Sequence, residues 1–172
     1  MIKKPMEACE ALLDFHCPRY EEISDIGLYM DQVVRILEEA LEVFAVDSEE
    51  KTITPSMVNN YVKQGIISPP VKKKYDRNHL AYLLVVCLLK RVYTMTEICR
   101  MIDVQIQSTP IEQAYNAFCI ELERSLRYVV LRQEEDNPFR SSPDSFEGWL
   151  LRSAVLAAAH KIYVQKMIAP AG

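Results

Sequence analysis

Four hydrogen-bonding side chains recur at three- and four-residue steps in the stretch between positions 53 and 67. They are Ser56, Asn59, Asn60 and Lys63. Residues with this spacing share one face of an α-helix, and the apolar residues between them fall on the opposite face. A hydroxyl, two amides and an ammonium group on an exposed helical face can hydrogen-bond to base edges and phosphates. The alternative is an ordinary solvated face, which composition alone favours.

Three consecutive lysines follow a few residues later. Lys72, Lys73 and Lys74 come after Pro69 and Pro70. Because proline blocks a helix and biases its predecessor towards extended backbone, this stretch is predicted to be a loop or a stub of a hairpin. Lysines projecting in several directions from a loop suit contacts with phosphate better than recognition of a base sequence. A solubilising turn explains them about as well in isolation.

The remaining polar residues form no recognisable motif for catalysis or for a cofactor. Four glycines are scattered singly, so no glycine-rich loop could cradle a nucleotide phosphate. Cys9, His16 and Cys17 lack a fourth ligand at a recognised spacing and are expected to be ordinary residues. Cys99 beside Arg100 could have a lowered pKa and act as a sensor, although a packing cysteine is the favoured interpretation. We expect neither an enzyme nor a bound metal or cofactor.

Local sequence defines the helix that would carry the first polar group. Thr54 can accept a hydrogen bond from a free backbone amide as N-cap, and Pro55 suits the first helical position. Gly65 is placed to adopt the left-handed conformation that ends a helix. The sequence therefore predicts a helix from Pro55 to about Gln64.

This helix and its surroundings resemble a known DNA-binding family. Ile53-Thr-Pro-Ser-Met-Val-Asn-Asn-Tyr61 followed by Gly65-Ile-Ile67 is similar to the second helix of the MerR-type helix-turn-helix and the turn into its wing. The likeness continues to Ile98, and it is closer to an uncharacterised bacterial family of predicted MerR-like proteins. Two positions depart from the MerR pattern: Asn59 replaces a usual arginine, and the wing is reduced to Ser68–Lys74. The resemblance implies double-stranded DNA as the partner.

Apolar periodicity elsewhere predicts an all-α fold of about six helices that ends in a C-terminal helical pair. The resemblance implies that this fold includes a reduced winged helix-turn-helix. Capping boxes are predicted at Thr94 with Glu97 and again at Thr109 with Glu112. A polar loop is predicted over 134–143, before the last helix.

The longer helix after Thr109 has an apolar stripe with steps of three and four. The stripe comprises Ile111, Tyr115, Phe118, Leu122, Leu126 and Val129. In MerR-type proteins a long helix after the DNA-binding part pairs two protomers, so the resemblance implies a homodimer. The residues alone favour an intramolecular core.

Charge divides the chain into three segments. Residues 1–51 carry 5 Lys/Arg and 13 Asp/Glu, residues 52–103 carry 8 and 3, and residues 104–172 carry 7 and 8. We interpret them as acidic N-terminal helices that include the first helix of the helix-turn-helix, a MerR-like DNA-binding core, and C-terminal helices that could dimerise. The +5 middle segment favours an acidic partner such as nucleic acid.

The chain has 172 residues, 49% of them hydrophobic, and an odd number of cysteines, five. These values fit a folded protein of a reducing cytoplasm, without a signal peptide or a membrane span. The predicted function is a DNA-binding transcription regulator. The alternative is a protein-interaction module or adaptor on the same scaffold, because Glu38, Glu39 and Glu42 make the first helix too acidic to lie against a DNA backbone.

Overall fold

The computed structural model describes residues 3–47, 49–140 and 145–169. Within those ranges it contains seven α-helices, while its β-structure is limited to two isolated bridges. The helices are α1 (Lys3–Leu13), α2 (Met30–Leu41), α3 (Pro55–Lys63), α4 (Arg77–Leu89), α5 (Met95–Ser108), α6 (Ile111–Leu131) and α7 (Phe146–Ile168). The predicted all-α class is confirmed, with one helix more than the six expected. The predicted polar loop begins with a 3-10 turn at Glu134–Asp136, and its residues 141–143 lie outside the described ranges.

The centre of the core is α4, because eight of its 13 residues are apolar and buried. Helices α2, α5, α6 and α7 all pack against it. One hydrophobic cluster extends from Leu12 in α1 to Ile162 in α7, so all three charge segments contribute to the same core. The division into three functional segments stays a prediction. Over the described ranges, none of these helices combines the length and the apolar character needed to cross a membrane.

Of the two capping boxes predicted from the sequence, one is present in the structure. At α5 the prediction is confirmed: the Glu97 amide donates to Thr94 Oγ1 at 3.3 Å, and the Thr94 amide donates to Glu97 Oε2 at 2.7 Å. At α6 the predicted box of Thr109 and Glu112 is wrong. Thr109 is extended and ends α5, so Pro110 becomes the N-cap of α6 and has no side chain that could accept a hydrogen bond.

The apolar stripe of α6 is intramolecular core. Tyr115, Phe118, Leu122, Leu126 and Val129 are all buried, and the helix packs against α1, α4 and α7. The interpretation favoured by the residues alone is therefore the one observed. A homodimer, which stays a prediction, would have to use another surface.

Two ion pairs tie distant parts of the chain to α6. The Arg19 guanidinium donates to both carboxylate oxygens of Glu123, at 2.8 and 2.7 Å, and the Cys17 amide donates to the same carboxylate at 2.8 Å. Partial burial acts to raise the pKa of Glu123, but these donors outweigh it and the pKa is lowered. Between α6 and α7, Arg152 Nε lies 3.6 Å from Glu121 Oε1, and both side chains are almost completely buried.

Candidate nucleic-acid interface

Helix α3 begins and ends where its local sequence predicts. The Met57 amide donates to Thr54 Oγ1 at 3.2 Å at the N-terminus. At the C-terminus Gly65 has a φ of 71°, and the Ile66 amide donates to the Tyr61 carbonyl at 2.9 Å. This is a Schellman ending, which needs a residue in the left-handed conformation. The predicted helix, its cap and its terminator are confirmed.

The two faces of α3 separate as the spacing of its residues predicts. Val58 and Tyr61 are buried in the core, and α3 packs on α2. The four predicted contact residues, Ser56, Asn59, Asn60 and Lys63, are all exposed on the other face. The structure thus gathers these donors and acceptors on one solvent-facing surface, where they can reach a partner.

The lysine stretch forms a hairpin whose tip is built from two left-handed residues. Val71 and Lys74 exchange both backbone hydrogen bonds, each at 3.0 Å. Between them, Lys72 has a φ of 51° and Lys73 a φ of 64°. A two-residue turn with both φ values positive is a type I′ turn, which favours Asn-Gly because a β-carbon is strained there. All three lysines are exposed.

The hairpin is joined to the chain just before α2. Leu28 and Tyr75 exchange backbone hydrogen bonds at 2.8 Å in both directions. A β-carbon on Gly27 would lie 3.0 Å from Lys74 Cβ, so glycine permits this close approach. The Lys74 ammonium also lies 5.4 Å from the centre of the Tyr29 ring, within range of a cation–π contact. These contacts hold the second strand of the hairpin, which carries Lys74, in place.

A buried histidine holds the base of the hairpin against α4. His79 Nε2 lies 3.0 Å from the Ser68 carbonyl oxygen, and Nδ1 lies 2.8 Å from Asp76 Oδ1. Burial acts to raise the pKa of Asp76, but the His79 amide and imidazole outweigh it and the pKa is lowered. The spacing of residues in the sequence gives no sign that His79 also contacts Ser68.

The basic residues of the middle segment fall into two groups. Three of its eight cations bind backbone carbonyls: Arg77 that of Ile23, Lys90 that of Thr52 and Arg91 that of Phe44. The exposed ones are Lys63, Lys72, Lys73, Lys74 and Arg100. Arg100 on α5 is the one cation of this exposed group that the sequence analysis did not assign to a contact surface.

The acidic face of α2 is also accessible to a partner. Glu39 and Glu42 are exposed, and Glu38 is half-buried. The nearest compensation is Arg35, whose Nε lies 4.0 Å from Glu39 Oε1 one helical turn away. An exposed ion pair of this length contributes little stability.

The lowered pKa suggested for Cys99 is wrong. Partial burial, and then the carboxylate of Asp103, raise the pKa of its thiol. Cys17, considered above with Cys9 and His16, is fully buried. Across the described ranges, the structure holds no group of three or more side chains able to bind a metal.

The comparisons with known proteins identify a family without a known activity. A family model described as a domain of unknown function (DUF1836) matches residues 18–118. The match includes α2 to α5 and the hairpin, and it ends inside α6. No curated protein and no solved structure matches the chain.

Proposed function

Since the chain belongs to the DUF1836 family, whose function is unknown, its activity must follow from its own surface, and we propose that it is a DNA-binding transcription regulator. In this proposal α2 and α3 act as a MerR-like helix-turn-helix, and the hairpin acts as a reduced wing. The observation that carries it is the hairpin tip. Two exposed lysines occupy positions that disfavour lysine, directly downstream of a polar helical face.

The strained tip supports a contact with phosphate for an energetic reason. A left-handed residue with a β-carbon costs roughly 1–2 kcal/mol, and only glycine, asparagine and aspartate relieve that cost readily. Strained backbone of this kind clusters at functional sites, and at this turn Lys72 and Lys73 add charge to the surface and no buried contact. An electrostatic partner is the use that their position favours.

The exposed face of α3 supports the recognition role. In a helix-turn-helix the second helix lies in the major groove, and its side chains contact base edges. Asn59 and Asn60 can pair with adenine, and Lys63 with guanine. Ser56 at the start of the helix can donate to a phosphate or a base edge. Lys72, Lys73 and Lys74 then contact the flanking backbone.

DNA binding is tested by measuring separately what the exposed face of α3 and the hairpin lysines contribute to affinity. Selection from random double-stranded DNA at low salt gives the preferred site, and fluorescence anisotropy then gives affinities. Asn60→Ala should cost roughly 1–3 kcal/mol on the selected site and little on random DNA. Removing Lys72, Lys73 and Lys74 together should weaken binding to all DNA alike. The exposed Lys161 on α7 provides a matched control, and Lys161→Gln should bind as wild type.

The acidic face of α2 favours a second candidate, an adaptor that binds another protein. Glu39→Gln with Glu42→Gln should raise DNA affinity if these carboxylates only repel phosphate. It should abolish capture of a protein partner if they form its docking surface. If the wild-type protein has no measurable affinity for any DNA at low salt, the regulator proposal fails and the adaptor takes its place.

We also propose a homodimer, since dimeric helix-turn-helix proteins bind two half-sites. Sedimentation over a wide range of concentration measures this directly, and a monomer throughout would remove the dimer. The variant Phe118→Asp tests whether the apolar stripe of α6 is the dimer interface. Because Phe118 is buried in α6, this substitution should yield misfolded protein and not a soluble monomer.

A further inference from the structure

A cleft of about 420 Å³ lies between the end of α3, the base of the hairpin, α4 and α5. Its polar lining includes Ser68, Asn78, Tyr82 and Asp103. This volume is within the range of small-molecule sites, roughly 300–1,000 Å³. The cleft is therefore large enough to hold a ligand and not only water.

A second, apolar cavity of about 70 Å³ adjoins this cleft between α4, α5, α6 and α7. Tyr82, Ile102 and Ile111 line both spaces, so the two lie directly beside each other. Gln105 and the Tyr82 and Tyr115 hydroxyls are the polar side-chain groups of the apolar cavity lining. The combined site thus has one polar half and one small apolar half.

The charged side chain that lines the site is negative. Asp103 is the one carboxylate among the lining residues, and these residues include no lysine or arginine. The ring nitrogens of His79 are already engaged by Asp76 and Ser68. Burial first, and the Asp103 charge second, raise the pKa of both Tyr82 and Cys99, so this carboxylate, although exposed, lies near two other residues of the lining.

We propose that this site binds a small amphipathic amine, with its ammonium group at Asp103 and a short apolar chain in the cavity beneath α7. An ammonium–carboxylate contact supplies a charge-assisted hydrogen bond. Burial of each methylene should strengthen binding roughly fourfold. This binding does not depend on the DNA-binding proposal, although an occupant would contact Ser68 and the end of α3.

Hexylamine, hexanol and hexanoate form a matched probe series, because they share one chain and differ in the charge of the head group. Cys99 lines the cleft and Cys9 lies on α1, and both thiols are half-buried, so the same molecule carries a reporter and a reference. Hexylamine at about ten times its dissociation constant should slow alkylation of Cys99 about tenfold and leave Cys9 unchanged, because only the unoccupied site reacts. Absence of protection, or equal protection by hexanoate, would overturn the proposal.

Two further measurements test the halves of the site separately. Asp103→Asn should remove the preference for hexylamine over hexanol, whereas Glu112→Gln, at an exposed carboxylate outside the lining, should keep it. Retention of the preference in Asp103→Asn would refute the role of the carboxylate. Shortening the probe to butylamine should weaken binding by roughly an order of magnitude. Equal affinities for both amines would place the chain outside the apolar cavity and refute that half.

Discussion

Replacing the tip of the hairpin by Asn-Gly should make the protein more stable and a weaker DNA binder. The variant K72N with K73G changes only the two left-handed residues of the hairpin tip and leaves the Val71–Lys74 backbone pairing in place. Asparagine and glycine are the residues that a type I′ turn favours. The substitution therefore removes strain and charge together, and a second variant must separate the two.

The gain in stability follows from the strain at each residue. Two left-handed lysines together destabilise the folded protein by roughly 2–4 kcal/mol. Replacing one of them by glycine offsets roughly 0.5–1 kcal/mol of the gain, because glycine loses more conformational entropy on folding. Asparagine relieves its position only in part, so the net gain should be about 1–2 kcal/mol. For a protein of this size that gain raises the melting temperature by roughly 2–8 °C.

The control variant, K72Q with K73Q, removes both charges and keeps both β-carbons. Its melting temperature should stay near wild type, while its DNA affinity should fall as far as that of the Asn-Gly variant. The slope of log affinity against log salt should flatten by about 1.8 in both, at about 0.9 for each lost phosphate contact. Undiminished DNA affinity in both variants would refute the phosphate role. An unchanged melting temperature in the Asn-Gly variant would refute the strained turn.

Three predictions concern the fold. Gly65→Ala should destabilise the protein by roughly 1 kcal/mol in a thermal melt, because alanine is strained at a φ of 71°. Arg152→Ala should destabilise the protein in a urea melt by less than the about 3–5 kcal/mol of a fully unpaired buried charge, because Arg124 Nη1 also lies 3.6 Å from Glu121 Oε1. Met at positions 121 and 152 together should cost less still. Glu123 has a lowered pKa in the fold, so its contribution is complete above the unfolded value of about 4.3 and is lost as pH falls through the folded pKa. The wild type should therefore have a larger unfolding free energy than Glu123→Gln at pH 7, and the difference should disappear in acid.

Local features of the fold could be predicted from the sequence, because a few adjacent residues determine them. Thr54 and Gly65 define α3 through hydrogen bonds that span at most five residues, and Thr94 caps α5 in the same way. The exposed face of α3 follows from its 3.6-residue period. Pro110 shows the limit: the same pattern was present, but the preceding helix extended to Ser108 and took Thr109 as its own end.

Long-range and strained features could not be predicted in this way. Nothing in a run of lysines distinguishes Lys72 and Lys73 as left-handed, because their conformation follows from the closure of the hairpin. The contact of His79 with Ser68 and the partition of cations into structural and exposed groups depend on which carbonyls lie nearby in space. The stripe of α6 predicted burial correctly, but only the packing of α1, α4 and α7 shows which partners cover it.

The pairing of Arg19 with Glu123 has a consequence for the protein during its synthesis. The two residues are 104 positions apart in the chain. At a translation rate of roughly 5–20 residues per second, the N-terminal segment waits roughly 5–20 s for its partner carboxylate. During that interval Leu12 and Cys17, both buried in the finished fold, have no α6 to pack against. These two side chains therefore stay without their final packing partners until α6 is made.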